Sequence, residues 1–194
     1  FQGMSFPFTV ENAKQAAFAF NGDTYSGLDI STLEKEDLAF AQEHVRILSG
    51  LYGLVRPLDL IQPYRLEMGT RIANTRGKNL YEFWNDKIAV ALSAELETHK
   101  SPILINLAST EYFKAVQKKA LQHPVITPVF KEVKGNEAKV IGFSAKRARG
   151  MMARYISLNR IDNPEALKGF DLAGYQFMPK LSTEFELQFH RKVS

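Results

Sequence analysis

Phe143-Ser-Ala-Lys-Arg-Ala-Arg-Gly-Met-Met-Ala-Arg-Tyr-Ile156 is the stretch from which the rest of the chain can be read. It begins where the strand-like run Val140-Ile141-Gly142-Phe143 gives way to helical spacing. Ala148, Met151, Met152, Tyr155 and Ile156 recur at three and four residues, so they form one apolar face of a helix. Ser144 is placed to cap it, its hydroxyl accepting a free backbone N–H of the first turn. Lys146, Arg147, Arg149 and Arg154 fall off the apolar face. Three of these cations crowd the first turns, where the helix already carries partial positive charge. An anion relieves such crowding, and free N–H groups with Lys and Arg suit a phosphate. The plain alternative is a solvated basic face on a core helix.

Outward from this helix the pattern alternates between strands and helices. Val125 to Val133 and Ala138 to Phe143 flank Lys134-Gly-Asn136, a hairpin signal. Pro102-Ile-Leu-Ile-Asn-Leu107 reads as a buried strand, followed by a helix from Thr110 to Leu121 with Ser109 as its cap. Beyond the basic helix, Pro164 to Leu167 is a single turn, and Tyr175–Phe177 pairs with Phe185–Phe189 in a last hairpin. Towards the other end, Thr9 to Phe20 reads as a helix with Val10, Ala13, Ala17 and Phe20 inward, and Tyr25 to Leu28 as a loop. A helix opening at Ser31 or Thr32 runs on through Leu33, Leu38, Ala41, Val45 and Leu48, with Gly50 as its left-handed C-terminal cap. Leu51 to Met68 is apolar but cut by Pro57 and Pro63, hence short extended pieces. Gly69 to Lys78 is a polar loop, and Leu80 to Leu96 a long helix with Phe83, Ile88, Ala91 and Leu92 inward. There is no repeat, linker or composition shift. The expectation is one mixed α/β domain from Met4 to Ser194, a mixed sheet flanked by helices, with a positively charged cleft.

Composition narrows the field. The 194 residues, 45% hydrophobic, are enough for one sizeable core. Net charge is +4, a mild basic bias that permits nucleic acid or an acidic small molecule and demands neither. The absence of Cys rules out disulfides, thiolate metal sites and cysteine nucleophiles, and fits a reducing cytoplasm. No apolar run reaches the ~20 residues of a membrane span. No signal peptide is visible, and Phe1-Gln-Gly3 reads as a tag remnant before Met4. The chain carries no Gly-rich phosphate loop, no GxGxxG, no HExxH and no GxSxG. His44, His99, His123 and His190 stand apart from one another, so no metal site and no cofactor is predicted.

Three constellations remain. In Leu48-Ser-Gly-Leu-Tyr-Gly-Leu-Val-Arg-Pro57, Gly50 and Gly53 follow a predicted helix, and Arg56 stands near. Turn N–H groups there can hold a backbone phosphate. The segment resembles the hairpin of helix-hairpin-helix modules, one residue longer, and its alternative is a helix cap plus a tight strand entry. In Tyr64-Arg-Leu-Glu-Met68, alternation puts Arg65 and Glu67 on one face. They form either an ion pair or a cleft wall, with Arg65 binding an anion and Glu67 handling a proton. In Asn106-Leu-Ala-Ser-Thr-Glu-Tyr112, Asn106 sits at the carboxyl end of a strand, where ligands of open α/β sheets bind. Ser109 and Glu111 suit either that site or the helix start. With both strands as parallel neighbours, Lys146 and Arg149 would face Asn106 and Ser109 across one cleft.

The same segments, in order, resemble the bacterial YaaA family of peroxide-stress resistance proteins. The resemblance is carried by Phe20-Asn-Gly-Asp-Thr-Tyr-Ser-Gly-Leu28, Leu48 to Asp59, Gln62-Pro-Tyr-Arg-Leu-Glu-Met-Gly69, Arg76-Gly-Lys-Asn-Leu-Tyr-Glu-Phe-Trp84, Ile105-Asn-Leu-Ala-Ser109 with Glu111-Tyr-Phe-Lys114, and Lys146-Arg-Ala-Arg-Gly150. It runs from about Phe8 to the end. It implies a cytoplasmic protein that limits oxidative damage under hydrogen peroxide and affects intracellular iron. It also implies a positively charged cleft and DNA binding through a helix-hairpin-helix-like element. Gly50, Gly53 and Arg56 match that element, and Lys146, Arg147 and Arg149 are placed to line the cleft. Family members begin with a strand and a Ser-Pro-Ala-Lys motif that this sequence does not show, so the expected domain lacks its first part.

Two functions compete on these residues, ahead of a third, direct iron binding, for which only O and N ligands are available and none are clustered in spacing. One is binding of duplex or branched DNA. The other is an enzyme acting on an anionic, nucleotide-like small molecule, with Arg65, Lys146 and Arg149 holding the anion and Glu67 or Glu111 in proton transfer.

Overall fold

The computed structural model of the chain describes residues 3–193. The reading of the first three residues as a tag remnant therefore falls largely on Phe1 and Gln2, outside the described residues. In chain order the regular elements are β1 (Lys14–Gln15), α1 (Ala16–Ala19), α2 (Asp23–Leu28), α3 (Lys35–His44), β2 (Ile47–Ser49), β3 (Gly53–Val55), β4 (Leu60–Ile61), α4 (Leu80–Trp84), α5 (Lys87–Leu96), β5 (Leu104–Ile105), α6 (Thr110–Phe113), β6 (Val125–Lys134), β7 (Glu137–Lys139), α7 (Gly142–Leu158), β8 (Gln176–Phe177) and β9 (Glu186–Lys192), with 3₁₀ turns between several of them.

β6 sets Ile126, Pro128 and Phe130 on its buried face and Val125, Thr127 and Val129 on the other, and the strand becomes the spine of the main sheet. It runs parallel to β5 on one side, with Leu104 opposite Val125, and parallel to β9 on the other, with Phe130 opposite Phe189. β8 closes the far edge antiparallel to β9, and β7 folds back on the end of β6. Phe130 and Phe189 stack at 5.4 Å, with Phe170 and Tyr175 edge-on at 5.6 and 5.3 Å from Phe130. The face of α7 bearing Ala145, Ala148 and Met152 packs on these rings. Burying one such Phe side chain is worth about 2 kcal/mol. A second core lies under α1, α2, α3 and β4, and a third under α5 and the segment after α6. The result is a single mixed α/β domain with a mixed sheet and flanking helices, as the sequence pattern implies.

α7 joins the first two cores. Its Gly150 lies against α2 so closely that a Cβ there would stand 1.8 Å from Thr24 O. Conversely, a Cβ on Gly27 of α2 would stand 2.1 Å from Arg147 O. Two backbones meet here with no side chain between them. That contact explains why Tyr25 to Leu28 is helical, with Gly27 and Leu28 buried, rather than the loop its Gly27 suggested.

Other expectations fail for equally local reasons. Thr9 to Gln15 is a turn and a short strand, because Lys14 and Gln15 pair with Ile61 and Leu60; Val10 is 79% exposed. α3 stops at His44, so Gly50 is no helix cap; it sits in the turn of the β2–β3 hairpin, its Cα against Leu66 O. The helix expected from Leu80 to Leu96 breaks at Asn85, which has φ 45°. Ala91 points outward and Ala89 inward. α6 ends at Phe113, where Ala115 and Val116 N–H groups bond three residues back and turn into the third core. α7 starts at Gly142, not after Ser144, so Val140 to Phe143 is not strand and Ser144 lies inside the first turn.

Candidate functional site

The cleft grows out of unequal strand lengths. β5 ends at Ile105, while β6 runs eight residues further, to Lys134. β7 pairs only with Glu132 to Lys134. Between those limits one edge of β6 is bare. Asn106 N–H bonds Ile126 O on that edge at 2.8 Å, so by strand alternation the backbones of Pro128 and Phe130 face the same way. Pro128 tolerates the position because it has no N–H to leave unpaired. A cavity of about 590 Å³ opens there. Asn106 and Thr127 line one end, Phe113, Lys114, Gln117 and Lys118 one wall, and Val140, Ala145 and Arg149 the other. The charged groups in this lining are Lys114, Lys118 and Arg149; it holds no carboxylate.

Asn106 has a structural duty as well. Its Oδ1 accepts from Ala108 N at 3.1 Å, turning the chain out of β5, while Nδ2 lies 3.4 Å from Thr127 Oγ1 at the cavity end. Ser109 then caps α6, accepting from Tyr112 N at 3.4 Å. Arg149 is the unusual member. Its Nε is buried with no protein partner, and burial lowers its pKa below the ordinary guanidinium value. A buried guanidinium N–H without an acceptor is costly.

The cations of α7 thus have three fates. Arg154 donates to Leu28 O and Asp29 O, at 3.2 and 2.9 Å, satisfying the carboxyl end of α2. Lys146 and Arg147 are exposed. Arg149 turns into the cleft. The anion expected near the start of α7 is partly internal. Glu132 of β6 is held 2.6 Å from Arg191, which also reaches Ser144 Oγ at 3.1 Å. The Ser144 hydroxyl and Arg191 hold the Glu132 carboxyl below its ordinary pKa.

Asn106 and Arg149 line the same cavity, while Lys146 stays on the outer surface and Ser109 lies between two lining residues. The remaining candidates do not line the cleft. Arg65 and Glu67 are exposed while Tyr64, Leu66 and Met68 turn inward, so the alternation holds. Neither forms an ion pair among the described residues. Glu111 Oε1 accepts from Gly69 N at 2.8 Å. Arg56 pairs with Asp59 at 3.4 Å. Gly50 and Gly53 belong to a β-hairpin that uses two of its N–H groups internally: Tyr52 N donates to Ser49 Oγ and Leu54 N to Tyr52 O. The next helix after that hairpin begins at Leu80, so the element has a helix before it and β-structure after it. It is not a helix-hairpin-helix.

Lys114, Gln117, Lys118 and Thr127 escaped the reading of the sequence, although the four-residue spacing of the two lysines was a signal. So did a hydroxyl cluster. Tyr64 OH lies 2.6 Å from the buried Ser49 Oγ, and burial raises the pKa of Tyr25, Tyr64 and Tyr112, which also feel one another's charge. Among the described residues no group of three His, Cys, Asp or Glu is placed to hold a metal ion, and no helix is long and apolar enough to cross a membrane.

A mixed sheet with a bare inner edge and a cavity beside it defines the class: a mixed α/β protein with a cleft at a strand end. The family model of the peroxide stress protein YaaA matches residues 1–181, and the chain belongs to that family. It is 56% identical over all of its length to a UPF0246 protein of Magnetococcus marinus, covering 76% of that relative. It is 58% identical to a UPF0246 protein of Burkholderia multivorans over 96% of this chain and 72% of the relative. For one from Alteromonas mediterranea the values are 56%, 95% and 71%.

Proposed function

We propose that this protein serves in the response to peroxide by binding a nucleotide phosphate in the β6-edge cleft. DNA is its ligand in a cytoplasmic role that limits oxidative damage and intracellular iron. The observation that carries this is Arg149, a guanidinium with a buried, unpartnered Nε in a cleft whose other charges are Lys114 and Lys118. A phosphate supplies the missing acceptor. Asn106 and Thr127 offer neutral hydrogen-bonding groups about a base or sugar. A free nucleotide has the same chemistry, and the cavity of about 590 Å³ favours it as a second reading, because that volume suits one small ligand rather than a duplex.

Arg149→Gln tests both sources. Binding of labelled single-stranded DNA, duplex DNA and a free nucleoside triphosphate is measured across a salt series. DNA affinity is expected to fall about tenfold and its salt slope to drop by about one. A loss confined to the free nucleotide would favour the second reading. Unchanged binding in every arm would remove the cleft from the function.

A further inference from the structure

The edge of β6 that faces the cavity carries backbone groups with nothing to bond. Thr127 N–H points the other way, to Phe185 O at 2.9 Å, so Pro128 and Phe130 turn their backbones to the cavity. Asn106 N–H takes Ile126 O at the near end of this edge, and β7 takes over at Glu132. Between them stand Pro128 O, Phe130 N–H and Phe130 O. Among the described residues none of the three has a hydrogen-bond partner. Pro128 and Phe130 are both buried, and both line the cavity. Buried backbone groups are almost always paired, so three in a row beside one cavity point to a ligand that pairs them.

A flat ring suits this gap. Phe113 of one wall packs with the third core and Ala145 of the other with the first, and these cores lie on opposite faces of β5, holding Leu104 and Ile105 respectively. The cavity therefore continues the layer of the sheet itself. A ring in that layer meets the strand edge with its rim and the two walls with its faces. The edge reads acceptor, donor, acceptor, in the order Pro128 O, Phe130 N–H, Phe130 O. The base-pairing rim of adenine presents an amino donor, a ring-nitrogen acceptor and a C–H in the matching order. Cytosine shares the first two groups but sets its own carbonyl against Phe130 O. In the same seating guanine, hypoxanthine and uracil set a carbonyl against Pro128 O, and such repulsion is what separates similar ligands. Resting on the nucleotide-phosphate site proposed above, we infer that the bare edge of β6 selects adenine, through Pro128 O and Phe130 N–H, with the phosphate at Arg149. A free adenine nucleotide and an unpaired adenine of DNA share this chemistry. An added peptide strand is the other occupant of a bare edge. It would find a single N–H between β5 and β7, and would leave Arg149, Lys114 and Lys118 without a counter-charge.

The test varies the base, because the groups that read it are backbone. Adenosine, inosine, cytidine and 7-deazaadenosine monophosphates are titrated by calorimetry into wild type and Arg149→Gln, and oligo(dA), oligo(dC) and oligo(dT) repeat the comparison. Hydrogen exchange of the Phe130 amide is followed by NMR in protein carrying isotope-labelled phenylalanine. Wild type should bind the adenosine ligand about tenfold more tightly than the inosine or cytidine ligand. It should bind the 7-deaza ligand equally, since N7 lies off the rim that meets the edge. Saturation with adenosine monophosphate should slow exchange of the Phe130 amide about tenfold. Arg149→Gln should weaken all four monophosphates by one factor and keep their ranking. A preference for oligo(dA) with no binding of the free nucleotide would assign the site to a base of DNA. Equal affinity for adenosine, inosine and cytidine ligands and for the three oligonucleotides would overturn the inference, as would adenosine monophosphate binding that leaves the Phe130 amide unchanged, or no binding in any arm. Protection of that amide by an extended valine- and threonine-rich peptide, and by no nucleotide, would overturn it in favour of an added strand. Base preference that survives while Arg149→Gln changes nothing would sink the phosphate site and leave the base site standing; a uniform loss in Arg149→Gln with no base preference would sink only the base site.

Discussion

The two flanks of α7 are built on opposite principles. Towards α2 there is no room: Gly150 and Gly27 let two backbones touch, and Arg154 closes the end of the neighbouring helix. Towards the cleft there is room to spare, with Arg149 half-buried beside an open cavity. One helix thus spends its small residues on a close backbone crossing and turns one of its four cations, Arg149, into a cavity. The lesson is that a basic helix cannot be judged by its charge count. What each cation meets across the helix decides its role.

Four measurements can break or sharpen this contrast. The largest effect belongs to the tight flank. Gly150→Val puts side-chain carbon where Thr24 O already stands, and should cost about 3 kcal/mol or more in urea unfolding. A loss under about 1 kcal/mol would show that the crossing relaxes easily. Next is the start of the helix. Glu132 has a lowered pKa, so its contribution is present above the ordinary value near 4.5 and is lost as pH falls through the folded value. Glu132→Gln should therefore be less stable at pH 7 and should lose less between pH 7 and pH 3 than wild type. Equal losses in both proteins would remove Glu132 from the acid response.

On the open flank the sign reverses. Arg149→Met removes a half-buried cation whose Nε has no partner, so thermal unfolding should show a small gain in stability, and on the function proposed above DNA binding should fall. Lower stability would mean that the guanidinium is already well satisfied without ligand. Smallest is the double change Lys146→Ala with Arg147→Ala, expected to stay within about 0.5 kcal/mol of wild type because both side chains are exposed.

Much of this was legible in the sequence where periodicity and burial agree. The apolar stripe of α7, the β6–β7 hairpin at Gly135, the inward turn of Tyr64, Leu66 and Met68, and the Ser109 cap all follow from side-chain spacing. Errors cluster where a distant partner overrides local preference. Gly27 reads as a loop former until α7 packs on it, and Thr9 to Gln15 reads as a helix until β4 recruits Lys14 and Gln15. In the cleft, Asn106 and Arg149 could be named in advance, because a polar residue at a strand end and a cation on a helix start are both conspicuous. Lys114 and Lys118 could not be assigned, since α6 ends before either residue and the chain bends there.

By itself the sequence determined the chemistry available: no thiols, a mild excess of cations, and an order of segments that defines the family; the histidines are separate only along the chain, since His44 and His99 pack edge to face at 4.8 Å. Tertiary structure alone decided which of those cations share a cleft and which are spent on helix ends or left in water. The physical reason is range. Spacing along a chain fixes which face of an element a residue occupies, but the depth of a cleft depends on where neighbouring strands stop, and β5 stops eight residues short of the end of β6, where Asn106 turns the chain away.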